Sequence, residues 1–346
     1  MAAVRVAPVP LLRGTLQVPP DKSLTHRAIM LSGVSGRVVR VGPPFDSADT
    51  GATLQAVEHC GVAMVGDLGD AVTITGRGLR GLRPPPALDC ANAGTLIRLF
   101  AGLLVGQHID HVVLDGDDSL RGRPMTRIAR PLRAMGAQIF TAPGGTPPLG
   151  VNGGAPLVGV EHRLEVASAQ VKSCLLLAGL FAEGTTWVHE PVPSRDHTER
   201  MLEAAGVPLL REGGAVGVTG PVQGLSLPDM EVPGDFSSAA AHLVAGALLG
   251  DPEVRLEGVN LNPGRTGLIG VMRRMGVDVR EEAGDPVARE PSGTLSVSRT
   301  DGLRATEVAP EEVPSMIDEL PLVGLLGAMA SGTTVVRGAA ELRVKE

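Results

Sequence analysis

The sequence predicts an α/β (α+β) protein of two domains, built from one repeated β-α-β-α-β-β unit. Three observations carry that expectation. The chain has 346 residues, enough for about two separate cores. Apolar helical stretches recur at regular spacing and run into glycine. A second, shorter series of helix-glycine-strand segments keeps step with the first. The first series occupies 26–36, 95–106, 170–184, 238–250 and 319–332, and its closing glycines lie 66 to 82 residues apart. Leu, Ala, Val and Ile fill these segments, as buried helices require, and Gly is the expected residue just past a helix end. The second series occupies 57–61, 132–136, 202–206 and 272–276, with closing glycines 70 to 75 residues apart. After Gly332 a strand is expected over 333–337, but no second helix follows it. The expectation is therefore four repeats and part of a fifth, in a chain truncated at its C-terminus, since a closed pseudo-symmetric assembly wants an even number.

Composition narrows the function. Hydrophobic residues make up 43% and charged residues 20%, ordinary for a soluble globular protein. Aromatic residues are 2%, with no Tyr and a single Trp, Trp187. That scarcity disfavours a nucleic-acid surface, which needs stacking platforms. The net charge of −7 disfavours nucleic acid and anionic membranes as partners but leaves room for a local anion pocket. Cys60, Cys90 and Cys174 are widely spaced and odd in number, as for reduced thiols in a cytoplasmic protein. The His108-x-x-His111 pair is too weak a pattern for a metal site, and no metal is expected. No apolar run reaches the length of a membrane span, and the N-terminus lacks the apolar core of a secretion signal.

The polar segments point to small anions. Only three of the 31 basic residues are lysines: Lys22, Lys172 and Lys345. Lysine and arginine are not interchangeable, and each of these lysines lies in a short polar segment beside an expected helix. Small polar residues mark the starts of the first-series helices: Lys22-Ser23, Asn92-Ala93-Gly94-Thr95, Ser168-Ala169-Gln170, Asp235-Phe236-Ser237-Ser238 and Asp318-Glu319. Helix N-termini offer free N–H groups and a positive dipole end. Arg27, Arg98 and Lys172 add nearby cations, and a further helix start at Asp117 lies beside Arg121 and Arg123. Such groups suit phosphate and carboxylate oxygens. No Walker-type loop is present, which argues against a nucleoside triphosphate. Residue chemistry thus yields a two-domain repeat protein with an anion-lined cleft for small phosphorylated acids.

Eight segments in order make a more specific pattern: Asp21-Lys22-Ser23-x-x-His26-Arg27, Asn92-Ala93-Gly94-Thr95-x-x-Arg98, Asp117-x-Ser119-Leu120-x-x-Arg123-Pro124-Met125, Ser168-Ala169-Gln170-Val171-Lys172-Ser173, Ser194-Arg195-Asp196-His197-Thr198-Glu199, Pro233-Gly234-Asp235-x-Ser237-Ser238-Ala239, Asp318-Glu319-x-Pro321 and Glu341-Leu342-Arg343-Val344-Lys345-Glu346. Over its whole length the chain resembles the 5-enolpyruvylshikimate-3-phosphate synthase (3-phosphoshikimate 1-carboxyvinyltransferase) family. It departs from the family pattern at Ala91, where Gly usually precedes Asn, and at Thr25, where Ser is common. It also lacks the family's sixth unit.

The resemblance implies the two-domain enolpyruvyl transferase fold, with its units about pseudo-threefold axes and the last unit missing. It divides the chain into 1–15 plus 231–346 and 16–230. It implies transfer of the enolpyruvyl group of phosphoenolpyruvate to the 5-hydroxyl of shikimate 3-phosphate, in aromatic amino-acid biosynthesis, by a cytoplasmic monomer with no cofactor. Carried over residue by residue, Lys22, Ser23, Arg27, Ser168, Ala169, Gln170, Ser194, Asp318 and Lys345 hold shikimate 3-phosphate. Lys22, Gly94, Arg123 and Gln170 contact phosphoenolpyruvate. Asp318, Glu346 and Lys22 are the catalytic residues: Asp318 takes the hydroxyl proton and Glu346 handles the methylene proton. His197 is placed over the shikimate ring, and Gly94 implies sensitivity to glyphosate. Two alternatives stand beside this. The truncated chain would bind shikimate 3-phosphate without turnover, or it would be the sister transferase acting on a UDP-amino sugar. The latter depends on a reactive loop cysteine, and Cys60, Cys90 and Cys174 do not match it.

Overall fold

A computed structural model describes residues 7–344. Repeat one holds β1 (Leu12–Gln17), α1 (Lys22–Gly33), β2 (Val38–Gly42), α2 (Ala48–His59), β3 (Ala63–Gly66) and β4 (Val72–Thr75). Repeat two holds β5 (Ala87–Asp89), α3 (Gly94–Leu104), β6 (Val112–Asp115), the one-turn α4 (Asp118–Arg121), α5 (Thr126–Ala134), β7 (Gln138–Thr141) and β8 (Leu149–Asn152). Repeat three holds β9 (Glu161–Arg163), α6 (Ala169–Gly179), β10 (Gly184–His189), α7 (His197–Ala204), β11 (Leu209–Glu212) and β12 (Ala215–Gly220). Repeat four holds β13 (Met230–Glu231), α8 (Phe236–Leu249), β14 (Gly250–Asn260), α9 (Gly267–Arg274), β15 (Val279–Ala283) and β16 (Ser292–Val297). The fifth repeat contributes β17 (Glu307–Val308), α10 (Leu320–Met329) and β18 (Val335–Val336).

Four sheets of one design follow: β5-β6-β8-β7, β9-β10-β12-β11, β13-β2-β4-β3 and β1-β14-β16-β15. In each, the outer strand pairs in parallel with its neighbour and the other two pairings are antiparallel. The chain order dictates this. In the β5-β6-β8-β7 and β9-β10-β12-β11 sheets one helix separates the two parallel strands, which permits the crossover, and in all four sheets the last two strands of a repeat are joined directly and form a hairpin. The β11–β12 hairpin turns through Gly213 and Gly214, at φ 53 and 82, the positive-φ pair that a two-residue hairpin loop demands. Repeats one and four exchange their first strands: β1 lies against β14, and β13 against β2. Among the described residues the fifth repeat forms only the parallel pair β17–β18.

The glycines that close the second-series helices, Gly61, Gly136, Gly206 and Gly276, all have positive φ, as helix-terminating glycines do. The first series is less uniform. Gly106, for example, has ordinary φ but faces the Phe181 ring, which would lie 2.0 Å from an added Cβ. Its requirement is space.

Contacts divide the chain into two units. Unit 1 runs through Pro19, then Pro233–Pro286 and from Pro291 onward; unit 2 is Pro20–Val232 with Val287–Glu290. The core of unit 2 is built on α1, α3 and α6. Leu96, Ile97, Leu99, Phe100, Leu103 and Leu104 of α3 are wholly buried, so beyond Arg98 this helix is apolar all round, as a central helix must be. Helices α3 and α6 run parallel and close. Thr95 meets Gln170 near their starts, and the Cys174 carbonyl lies 2.3 Å from where a Cβ on Gly102 would sit. Unit 1 has its own core, with Phe236, Leu243 and Val244 of α8 packed with Leu256, Met272, Leu295 and Leu326.

Candidate active site

The N-terminal turns of α1, α3 and α6, all in unit 2, carry most of the expected ligands. Asp21 caps α1 by accepting from the Leu24 N–H at 2.9 Å. That cap sets Lys22, Ser23 and Arg27 along the first turns. Lys22 is half-exposed and ion-paired with Asp49. Arg27 is 4% exposed. Its guanidinium donates to Thr198 Oγ1 at 2.8 Å, the Ser23 carbonyl at 3.0 Å and Ser173 Oγ at 3.2 Å, tying α1 to α7 and α6. These bonds use three of its five donors. Burial lowers the Arg27 pKa to about 10, so it remains a cation. His26 is buried with Nδ1 2.6 Å from Thr53 Oγ1. Burial, reinforced by Lys22, lowers its pKa to about 3, so the ring is neutral.

Helix α3 begins differently. Ala93 at its N-cap has no side-chain acceptor to offer, whereas Asp21, Ser168 and Asp235 cap α1, α6 and α8. Arginines stand at this uncapped end. Arg98 Nη1 donates to the Gly94 carbonyl at 3.1 Å and to Gln170 Oε1 at 2.8 Å, and Gln170 Nε2 donates to Thr95 Oγ1 at 3.1 Å. Arg123 Nη2 donates to Asn92 Oδ1 at 2.7 Å. A Cβ on Gly94 would meet Arg98 Nη1 at 2.7 Å and Arg123 Nη1 at 3.0 Å; glycine is what allows both guanidiniums to approach the backbone here. Burial and the charges of Arg123 and Arg127 lower the Arg98 pKa to about 10. A chain of net charge −7 thus concentrates positive charge at a helix N-terminus, where an anion is favoured. Gly94, Arg123 and Gln170, expected from sequence to share one ligand, lie together. Beside them Ala91 takes a left-handed φ of 47, a conformation that glycine adopts at less cost than alanine.

Ser168, Ala169 and Gln170 open α6, with Ser168 Oγ accepting from the Val171 N–H at 3.4 Å. Ser194 lies in the loop before α7. Its Oγ is buried with no hydrogen-bond partner, a state that native structures rarely leave unanswered. Lys172 is not the solvated cation that its sequence position allowed. Its side chain is 5% exposed and pairs with Glu190 Oε2 at 2.7 Å and Glu199 Oε1 at 2.8 Å. Burial works to lower its pKa, but the two carboxylates outweigh burial and raise it.

His197 is 1% exposed, with Nδ1 2.9 Å from Glu290 Oε1. The three cysteines are free and buried, with burial pushing each thiol up to about 12. None resembles an activated thiolate.

In unit 1, Asp318 is exposed in the 3₁₀ turn Ile317–Glu319 that leads into α10. Its neighbour Glu319 is 1% exposed and accepts from Ser237 Oγ, and Arg265 also donates to Ser237 Oγ, at 2.8 Å. Lys345 and Glu346 lie outside the described residues. Sequence reasoning passed over Asp49 and Glu190 as supporting residues. Glu190 could have been suspected, since it precedes Pro191 at the end of a strand leading into a motif segment.

Comparison with known proteins agrees with the pattern. Residues 6–346 match the family described as EPSP synthase (3-phosphoshikimate 1-carboxyvinyltransferase). The chain is 47% identical over 343 residues to a 3-phosphoshikimate 1-carboxyvinyltransferase of Halorhodospira halophila, covering 99% of this chain and 77% of that protein. It is 48% identical over 349 residues to one of Thermus thermophilus, covering 100% and 80%. Among solved structures, EPSP synthase of Acinetobacter baumannii superposes with a TM-score of 0.87 at 43% identity, over 97% of this chain and 76% of that one. The enolpyruvyl transferase NikO of Streptomyces tendae shares the fold, with a TM-score of 0.71 at 17% identity over 94% and 75%. The repeat architecture, the ordered motifs and these relatives lead to one statement: the chain belongs to the EPSP synthase (3-phosphoshikimate 1-carboxyvinyltransferase) family.

Proposed function

We propose that the protein transfers the enolpyruvyl group of phosphoenolpyruvate to the 5-hydroxyl of shikimate 3-phosphate, with loss of phosphate, the activity named for its relatives. The observation that carries this reading is the uncapped N-terminus of α3, where Arg98, Arg123 and Gln170 surround Gly94. Two multiply charged anions have to meet for the reaction. Even two like unit charges 4 Å apart repel by about 4 kcal/mol at the effective dielectric of a protein surface. A catalyst must first offset that repulsion and orient the partners.

In this reading Gly94, Arg123 and Gln170 hold phosphoenolpyruvate and Lys22 serves both substrates. Ser23, Arg27, Ser168, Ala169, Gln170 and Ser194 hold shikimate 3-phosphate, the orphaned Ser194 hydroxyl finding its partner there. The 5-hydroxyl oxygen bonds to C2 of phosphoenolpyruvate while C3 gains a proton, giving a tetrahedral intermediate. Loss of that proton from C3 and departure of phosphate restore the double bond. Asp318 takes the hydroxyl proton, Glu346 exchanges the C3 proton, and Lys345 contacts the sugar-acid hydroxyls. No metal or cofactor enters. Among the described residues no helix is long and apolar enough to cross a membrane. On the family resemblance we propose a cytoplasmic monomer.

Titration tests the assignment. Shikimate 3-phosphate should bind alone, and phosphoenolpyruvate should bind more tightly once it is present. Arg123→Met should weaken phosphoenolpyruvate roughly tenfold or more, the cost of one charged hydrogen bond, and leave shikimate 3-phosphate nearly unchanged. Equal weakening of both, or binding of neither by the unaltered protein, would overturn it.

A further inference from the structure

We propose that the buried triad Lys172–Glu190–Glu199 is a positioning device for the phosphate-binding serines: it fixes the backbones of Ser168 and Ser194 so that both hydroxyls face one phosphoryl group. This rests on the reading of those serines as ligands of shikimate 3-phosphate.

Glu190 directly follows β10, and both its oxygens are engaged. Oε1 accepts the Ser168 N–H at 3.1 Å and Oε2 accepts the Ser194 N–H at 3.2 Å. One carboxylate therefore clamps two backbone segments that lie 26 residues apart in sequence. Lys172 completes the clamp. Its ammonium pairs with Glu190 Oε2 at 2.7 Å and Glu199 Oε1 at 2.8 Å, and donates to the Ser194 carbonyl at 3.3 Å. Ser194 is thus held through both its N–H and its C=O. Ser168 is held through its N–H while its hydroxyl meets the Val171 N–H.

The arrangement is not what stability alone would select. The three side chains are only 4–5% exposed, and an apolar cluster of the same volume is often as stable as a buried ion network. Burial also raises the Glu199 pKa, an electrostatic cost that Lys172 offsets only in part. Geometric control of the two serine backbones is the return that explains it. Lys172 and Glu190 are then positioning residues that act through Ser168 and Ser194, and neither need touch the ligand.

The test uses the full chain, with shikimate 3-phosphate as the titrant. Glu190→Gln keeps the shape but replaces one acceptor with an amide donor facing either the Ser168 N–H or the Ser194 N–H and Lys172. It should weaken shikimate 3-phosphate roughly ten- to hundredfold, as for lost hydrogen bonds to a charged group. The KM for phosphoenolpyruvate and kcat should stay within about threefold. Lys172→Met leaves two carboxylates together and should weaken binding similarly. The double variant Lys172→Met/Glu199→Gln restores the charge while leaving Glu190 on both N–H groups, and should recover most of the affinity.

Unaltered affinity in Glu190→Gln would overturn the proposal. So would a double variant as weak as Lys172→Met, since Glu190 on both N–H groups would then not suffice to hold the serines. If Glu190→Gln does not fold, the comparison of the single and double lysine variants decides alone. Failure of the unaltered protein to bind shikimate 3-phosphate would instead refute the reading of the serines themselves.

Discussion

Replacing Gly94 with alanine places a methyl group against both arginines of the candidate phosphoenolpyruvate site. The added carbon would lie 2.7 Å from Arg98 Nη1 and 3.0 Å from Arg123 Nη1, where ordinary contact begins at 3.4 Å. Arg98 must then recede by about 0.7 Å and Arg123 by about 0.4 Å. Arg98 does not move freely, because it is bonded to the Gly94 carbonyl at 3.1 Å and to Gln170 Oε1 at 2.8 Å. Crowding of a tight site costs about 1–3 kcal/mol, or roughly tenfold to over a hundredfold in affinity. The longer of two competing anions feels that loss more. Glyphosate, which the family resemblance assigns to the same pocket, exceeds phosphoenolpyruvate in length. Gly94→Ala should therefore raise the glyphosate inhibition constant by that factor and the KM for phosphoenolpyruvate by clearly less. The KM for shikimate 3-phosphate should be nearly unchanged. Competitive inhibition kinetics on both proteins measure all three. A variant inhibited as strongly as the unaltered protein, or equal shifts for inhibitor and substrate, would refute the placement of Gly94 in this pocket.

Three further outcomes are expected. Ala91→Gly should stabilise the protein by about 1 kcal/mol, because Ala91 sits at φ 47, where an L-residue pays that cost; a lower melting temperature would contradict it. Asp318→Asn should slow turnover about a hundredfold or more, as for a lost general base, while shikimate 3-phosphate still binds; near-normal turnover would show that Asp318 is not the base. Stability should fall on acidification between about pH 6.5 and pH 3, because the folded His26 pKa is depressed to about 3 and the unfolded chain binds the proton first. The neutral ring's contribution is present above pH 6.5 and is lost by up to about 1.4 kcal/mol per pH unit below it; a His26→Gln variant with the same acid limb in a denaturation series would assign that limb elsewhere.

Much of the fold was legible because periodic features announce themselves locally. The glycines at 61, 136, 206 and 276 mark helix ends in sequence and take positive φ in the structure. The exchange of β1 and β13 was not legible from periodicity, since a strand's partner lies hundreds of residues away and leaves no mark on its own composition. The same holds at the site. Gly94, Arg123 and Gln170 sit in motif segments and come together at one helix end. Polar partners across long separations did not declare themselves: Thr198 lies 171 residues from Arg27, and Glu190 and Glu199 bury the charge of Lys172. A lysine beside a helix start looks alike whether it faces solvent or two carboxylates. The contact between His197 and Glu290, 93 residues apart, is equally silent in the sequence.

Phosphate release from phosphoenolpyruvate, assayed with and without shikimate 3-phosphate, tests the central claim most directly. The account predicts release only when both are present, lost on Arg123→Met at limiting phosphoenolpyruvate and on Asp318→Asn at saturation. Release in the absence of shikimate 3-phosphate, or release indifferent to both substitutions, would contradict it.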